Sequence, residues 1–153
     1  MGADMEQAGK VNAAIELMAE HERTIGRLYS VYSDLLPDKE FWQKLAKEEE
    51  YHAKWITSFT EDVYDGEIRL SDKFQSEPIW QSIKRIKQMI EDAKDQTEGQ
   101  ALINALAIED MILEKDFIDL FDEGEPSVQE VLLKLIQGTQ NHRLRIEDKL
   151  RSI

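Results

Sequence analysis

Between Leu45 and Ile56 the apolar positions fall at helical spacing, and Glu49 and His52 fall on the same face as Leu45 and Ile56. This feature constrains the chain more than any other. A carboxylate and an imidazole three residues apart, both turned into a core, need partners there, because buried charge is costly unless it is compensated. In helical cores the usual partner is a bound metal ion. The competing reading is a charged helix whose glutamates are merely solvated, and Glu48 and Glu50 are read that way. If no metal is bound, the inward glutamates and histidines can pair with one another as Glu–His⁺ contacts, which seldom stabilise a core but can set helix register.

The rest of the chain is consistent with long helices. Only 7 Gly and 3 Pro interrupt 153 residues, and 33% of the residues are charged. That length supports one domain with a core of its own, spanning residues 1–153. A net charge of −13 argues against nucleic acid as a partner. No apolar run is long enough to cross a membrane. Zero Cys excludes disulfides, thiolate metal sites and a thiol nucleophile. The polar, acidic start Met1-Gly2-Ala3-Asp4-Met5-Glu6 does not read as a signal peptide, and a cytoplasmic location is expected.

Four long amphipathic helices are predicted. The first runs from about residue 8 to Leu36, with Val11, Ala14, Ile15, Met18, Ile25, Tyr29 and Tyr32 inward. His21 lies near the centre of that stripe, Glu22 at its edge, and Glu16 and Glu20 on the wet side. Pro37 ends this helix and Asp38 opens the next, which is expected to reach about residue 64 and stop at Asp65-Gly66. Its inward face is Trp42, Leu45, Glu49, His52, Ile56, Phe59 and Val63. A polar connector leads to a shorter helix opened by Glu77-Pro78, with Ile79, Ile83, Ile86 and Ile90 as its stripe and Lys84, Arg85 and Lys87 solvated. Thr97-x-x-Gln100 is a capping box for the third long helix, expected to reach about Phe121 with Glu109 at mid-stripe and Asp116 two turns on. A turn over residues 122–126 precedes a second predicted capping box, Ser127-x-x-Glu130. The fourth helix turns Leu135, Thr139, His142 and Ile146 to one side. Short links within each helix pair make antiparallel neighbours, and the long middle link permits a crossover. In the first helix, Leu17, Leu28, Val31 and Leu35 spread the stripe beyond one core face, which predicts a homodimer.

The two halves of the chain repeat. Leu45 matches Leu135, His52 matches His142 and Ile56 matches Ile146, while Ala14-Ile15-x-Leu17-Met18 matches Ala105-Leu106-x-Ile108-Glu109. A helix-pair repeat with inward Glu and Glu-x-x-His resembles the rubrerythrin branch of the ferritin-like superfamily. Phe41-Trp42-x-x-Leu45-Ala46-x-Glu48-Glu49-x-x-His52-Ala53 is the most specific part of that resemblance. It implies an all-α fold, a ferritin-like antiparallel four-helix bundle whose long crossover carries a short extra helix.

The same resemblance implies a two-metal site with a Glu from the first and third helices and a Glu-x-x-His from the second and fourth. Carried over, Glu49 would bridge two ions, Glu109 and His142 would complete one position, and His52 would hold the other. Glu49, His52, Glu109 and His142 are therefore the candidate metal ligands. Two positions depart from the pattern: Met18 stands at the first-helix glutamate and Thr139 at the fourth-helix one. His21, Glu22 or Asp116 are the residues from which a replacement could come. Carboxylates and imidazoles suit iron, with Mn or Zn as alternatives. The expected function is a metal-binding protein related to rubrerythrins, with a role in iron or peroxide handling implied by resemblance. The alternative is a non-catalytic bundle with a degenerate site, acting as a dimer or adaptor. No nucleophile–base pair points to hydrolase chemistry.

Overall fold

The computed structural model describes residues 2–58, 74–114 and 126–153. Among them there is no strand. Five helices pack together: α1 (Gly2–Leu35), α2 (Lys39–Thr57), α3 (Glu77–Asp92), α4 (Glu98–Glu114) and α5 (Pro126–Ser152). A 3₁₀ turn, Ala93–Asp95, lies between α3 and α4. The expected all-α class is what the chain adopts. The stretches expected to carry α2 to about residue 64 and α4 to about residue 121 lie outside the described residues, as does most of the turn before α5.

Local chemistry sets the helix ends. The Asp38 side chain accepts a hydrogen bond from the Phe41 amide at 3.2 Å and so caps α2. The short link at Pro37 folds α2 back on α1, and theirs is the most extensive helix contact. At Gly26 the two helices nearly touch: a Cβ there would lie 3.3 Å from Glu49 Cβ and 3.4 Å from the Ala46 carbonyl. The absence of a side chain at this position lets α2 sit close enough to aim Glu49 at the centre of the molecule. The Thr97 box forms as predicted, with the Gln100 amide donating to Thr97 Oγ1 at 3.2 Å and the Thr97 amide to Gln100 Oε1 at 3.0 Å. The second predicted box lies elsewhere than expected: the described part of α5 is already helical at Pro126, so Ser127 lies within the helix rather than ahead of it.

Cross-helix contacts fix the relative directions. Glu98–Lys149 and Asp110–Arg143 pair α4 with α5 in opposite senses, and Asp38–Lys149 and Glu48–Arg145 do the same for α2 and α5. The core between them holds Ile25, Leu28, Leu45, Ile56, Leu102, Leu135 and Ile146, all fully buried. Each such side chain stabilises the fold by about 1.5–3 kcal/mol through burial. Trp42 sits at the α1 side, its ring edge-on to Tyr32 at 4.9 Å and tilted against Tyr29 at 5.7 Å.

α3 changes the reading of α1. It packs against α1, and Leu17 and Leu28 are buried, not exposed as expected. Val31 is half-buried, and only Leu35 of the four remains open to solvent. The apolar spread that predicted a dimer is thus largely covered from within the chain, because a helix with apolar residues on two faces packs against two neighbours. Lys84, Arg85 and Lys87 are exposed, as expected. Among the described residues no helix is long and apolar enough to cross a membrane.

Candidate metal centre

Four helices bring five ionisable side chains to one level in the core. They are Glu22 from α1, Glu49 and His52 from α2, Glu109 from α4 and His142 from α5, none more than 3% exposed. Glu49 is the hub. Its Oε1 lies 2.9 Å from His142 Nδ1, and its Oε2 lies 3.3 Å from His52 Nδ1. Each imidazole meets a second carboxylate: His142 Nδ1 is 3.4 Å from Glu109 Oε1, and His52 Nδ1 is 4.0 Å from Glu22 Oε2. The two imidazoles stack at 5.0 Å. Glu49, His52 and His142 each offer a ligand atom within 4.8 Å of the others. Three of the four predicted ligands thus share one group, and Glu109 stands outside it, joined through its contact with His142.

The first-helix carboxylate is Glu22, and this corrects the register read from the repeat. Met18 is an ordinary member of the apolar core, one turn away. Residues four apart share a helix face, so periodicity alone could not say which of the two turns reaches the level of the histidines. The interval from Glu22 to Tyr29 was the available signal, because the Tyr29 hydroxyl donates to Glu109 Oε1 at 2.8 Å and anchors α1 against α4. His21 does not replace a ligand. Its Nε2 lies 2.8 Å from Ser82 Oγ on α3, and burial depresses its pKa to about 4, leaving a neutral ring. Thr139 is buried and its hydroxyl donates to the Leu135 carbonyl at 3.0 Å, so it is engaged with its own helix. Asp116 lies outside the described residues.

Glu48 belongs to the cluster although the sequence places it with the solvated glutamates: its Oε2 lies 3.5 Å from His142 Nε2, and Arg145 Nη1 donates to both its oxygens at 2.7 and 3.0 Å. Its position beside Glu49, on the edge facing α5, was the only hint.

The cluster is electrostatically loaded. Burial, then the charge of Glu49, pushes the Glu22 carboxyl well above its ordinary range. Burial also works to raise Glu49, but its neighbours Glu22, His142 and His52 outweigh that and hold it well below. The two carboxyls are thus pushed apart, Glu22 toward its protonated form and Glu49 toward its ionised form. Burial and the charge of Glu49 raise Glu109 to about 7 against the pull of His142 and Tyr29. His142 resists burial through its contacts with Glu109, Glu48 and Glu49, and is pushed up to about 12. Glu48 is held at about 2, first by His142 and then, against burial, by Arg145. Of the six buried side-chain polar atoms without a hydrogen-bond partner among the described residues, four belong to the cluster: Glu22 Oε1, Glu49 Oε2, His52 Nδ1 and Glu109 Oε2. Such orphans are rare in folded cores and call for an explanation. A positive centre among them would satisfy all four.

Three carboxylates and two imidazoles are a hard-to-borderline donor set that fits iron, manganese or zinc. A groove of about 440 Å³ between α1 and α2 is lined by Gly26, Ala46 and Ala53 and edged by Arg23, Arg27, Glu50 and Lys54; none of the five clustered side chains lines it. The chain matches no protein-family model, no curated protein and no solved structure.

Proposed function

We propose that this protein binds two metal ions, iron first among them, at the Glu49-centred cluster, in a ferritin-like four-helix bundle formed by α1, α2, α4 and α5 with α3 on its flank. One observation carries the reading: the two oxygens of Glu49 face different imidazoles, and each imidazole has a further carboxylate beside it. This is the arrangement of a bridging carboxylate between two positions. The unpartnered atoms of Glu22, Glu49, His52 and Glu109 support it. Glu22 supplies the first-helix carboxylate, so the donor set lacks only the fourth-helix one, at Thr139.

Two bound irons would supply paired electron transfer, the chemistry by which peroxide is reduced to water or ferrous iron is oxidised. The chain's own residues hold and orient. Tyr29 fixes Glu109, Glu48 fixes His142, and Glu22, whose protonated form burial favours, would release its proton to ligate a cation. Iron or peroxide handling is the role that the resemblance to rubrerythrins implies.

A second reading has an observation of its own. The 2.9 Å contact of His142 with Glu49 is a good ion pair without any metal, and a core held by such pairs would belong to a non-catalytic bundle that acts through its surface. Metal analysis separates the two. Protein purified without chelator, or stripped and reloaded anaerobically with Fe(II), is expected to hold two ions per chain, and His142→Ala is expected to hold fewer. Protein that retains no divalent metal under either condition supports the ion-paired core.

A further inference from the structure

We infer that the two ion positions are unequal: the His142 position retains its ion and the His52 position exchanges it, because Glu48 backs one imidazole where Gly138 backs the other. The inference rests on the two-ion reading above. The repeat that matches His52 with His142 also matches Glu48 with Gly138, four residues before each histidine.

Behind His142, Glu48 Oε2 lies 3.5 Å from Nε2 and is itself held by Arg145. That carboxylate orients the ring, keeps the proton on Nε2 and leaves Nδ1 free to ligate. Behind His52 there is α5 backbone instead. A Cβ at Gly138 would lie 2.6 Å from His52 Nε2 and 3.0 Å from Cε1. No side chain fits at that point, so no carboxylate can reach the ring from it. Outer carboxylates of this kind make imidazole a stronger ligand, and losing one costs about 10–100-fold in metal affinity.

The carboxylates are unequal in the same sense. Each has one oxygen without a partner, but Glu109, on the His142 side, is fixed through its other oxygen by the Tyr29 hydroxyl at 2.8 Å, and no hydroxyl among the described residues holds Glu22 on the His52 side in this way. Thr139, bonded to the Leu135 carbonyl, offers neither side a further charge. The Gly138 contact also makes the His52 ring the tighter fit against α5, so any bulk added there moves a ligand.

The test is a Co(II) titration of the chelator-stripped full chain, followed by the visible bands of the bound ion and by calorimetry. Two steps are expected, with dissociation constants about 10–100-fold apart. Glu48→Gln, at a half-exposed position where folding is secure, is expected to weaken the tighter step by a similar factor and leave the weaker one unchanged. Gly138→Ala is expected to abolish the weaker step and spare the tighter, with melting and circular dichroism confirming the fold. Two equal steps in the parent, or equal weakening of both by Glu48→Gln, overturn the inequality while leaving the two-ion reading intact. No cobalt binding by the parent overturns both.

Discussion

The two helix pairs are built on one pattern but contribute unequally. The α1–α2 hairpin brings Glu22 and Glu49-x-x-His52, and the α4–α5 pair brings Glu109 and Thr139-x-x-His142. The second pair has Thr139 at the position matched to the hub, Glu49, and Glu49 alone reaches both histidines. If the cluster holds metal as proposed, it can do without a carboxylate at position 139 but not at position 49. Substitutions at the two matched positions, 49 and 139, should therefore differ more than any other pair.

Glu49→Gln is expected to have the largest effect. It removes the carboxylate shared by both positions, so metal analysis should find neither ion. In the metal-free protein it leaves the His142 cation buried beside a weaker acceptor. Breaking a buried pair from one side costs about 3–5 kcal/mol, and urea unfolding would measure it. Thr139→Ala removes one hydroxyl bonded within its own helix and should cost about 1 kcal/mol at most, with metal stoichiometry intact. Equal losses from the two variants would show that the hub is not at Glu49.

The next contrast concerns register. Thr139→Glu is expected to add the missing carboxylate and tighten iron binding, at a cost of about 1–3 kcal/mol in the metal-free protein. Met18→Glu buries a carboxylate one turn from the cluster, among Ile15, Ile25 and the rest of the core. It should destabilise by a similar or larger amount and add no iron. The double variant should then bind no more iron than Thr139→Glu alone, and a gain from Met18→Glu would restore the register that the repeat suggested.

Why that register was not legible is instructive. Stripes of period 3.6 reported which face of each helix is buried, and they did so correctly for Leu45, Glu49, His52, Glu109, Leu135 and His142. They carry no information on height along the helix axis beyond what a matched interval provides. The interval between the second and fourth helices was right, because Leu45, His52 and Ile56 pin it. The interval between the first and third was one turn off, because Ala14-Ile15-x-Leu17 fits Ala105-Leu106-x-Ile108 better than Met18-Ala19-x-His21 does, and apolar similarity outweighed the single carboxylate at Glu22. Glu48 was missed for a different reason. It is half-exposed, and only the arrival of Arg145 and His142 from α5 gives it a role. The apolar second face of α1 was visible in sequence, but whether α3 or another chain covers it depends on tertiary packing.

Acidity should distinguish the loaded from the metal-free protein. Glu109 rises from 4.5 to about 7 on folding and His142 from 6.5 to about 12, and Glu22 also rises. For each of these the folded state holds the proton more tightly than the unfolded chain. Their linkage contribution is most favourable below the unfolded values and declines as pH climbs toward the folded ones. His21, lowered on folding from 6.5 to about 4, works the other way up to about pH 6.5, so metal-free protein should melt at progressively lower temperature as pH rises above about 7. Metal binding displaces these protons, so apparent affinity should rise over the same range. A cluster that ignores pH in both measurements would not be the coupled centre described here.

The smallest expected effect lies away from the cluster and serves as its control. Asp38 caps α2 through the Phe41 amide and pairs with Lys149 on α5. Its counterpart in the repeat is Val128, which lies inside α5 and is not a capping residue type. Asp38→Ala should cost about 1 kcal/mol, the usual value of an N-cap, because the exposed ion pair adds little. The Lys149 contact and the Phe41 amide hold the Asp38 carboxyl below its ordinary value. Its contribution is therefore present above the unfolded value of 3.8 and is lost as pH falls through the folded one. The parent and Asp38→Ala should converge in melting temperature in strong acid and differ by a few degrees at neutral pH. Metal stoichiometry should be unchanged, since Asp38 lies more than two helical turns before Glu49 on α2. Loss of an ion from this variant would mean that the seating of α2 on α5, and not the Glu49 carboxylate itself, governs whether the two halves meet.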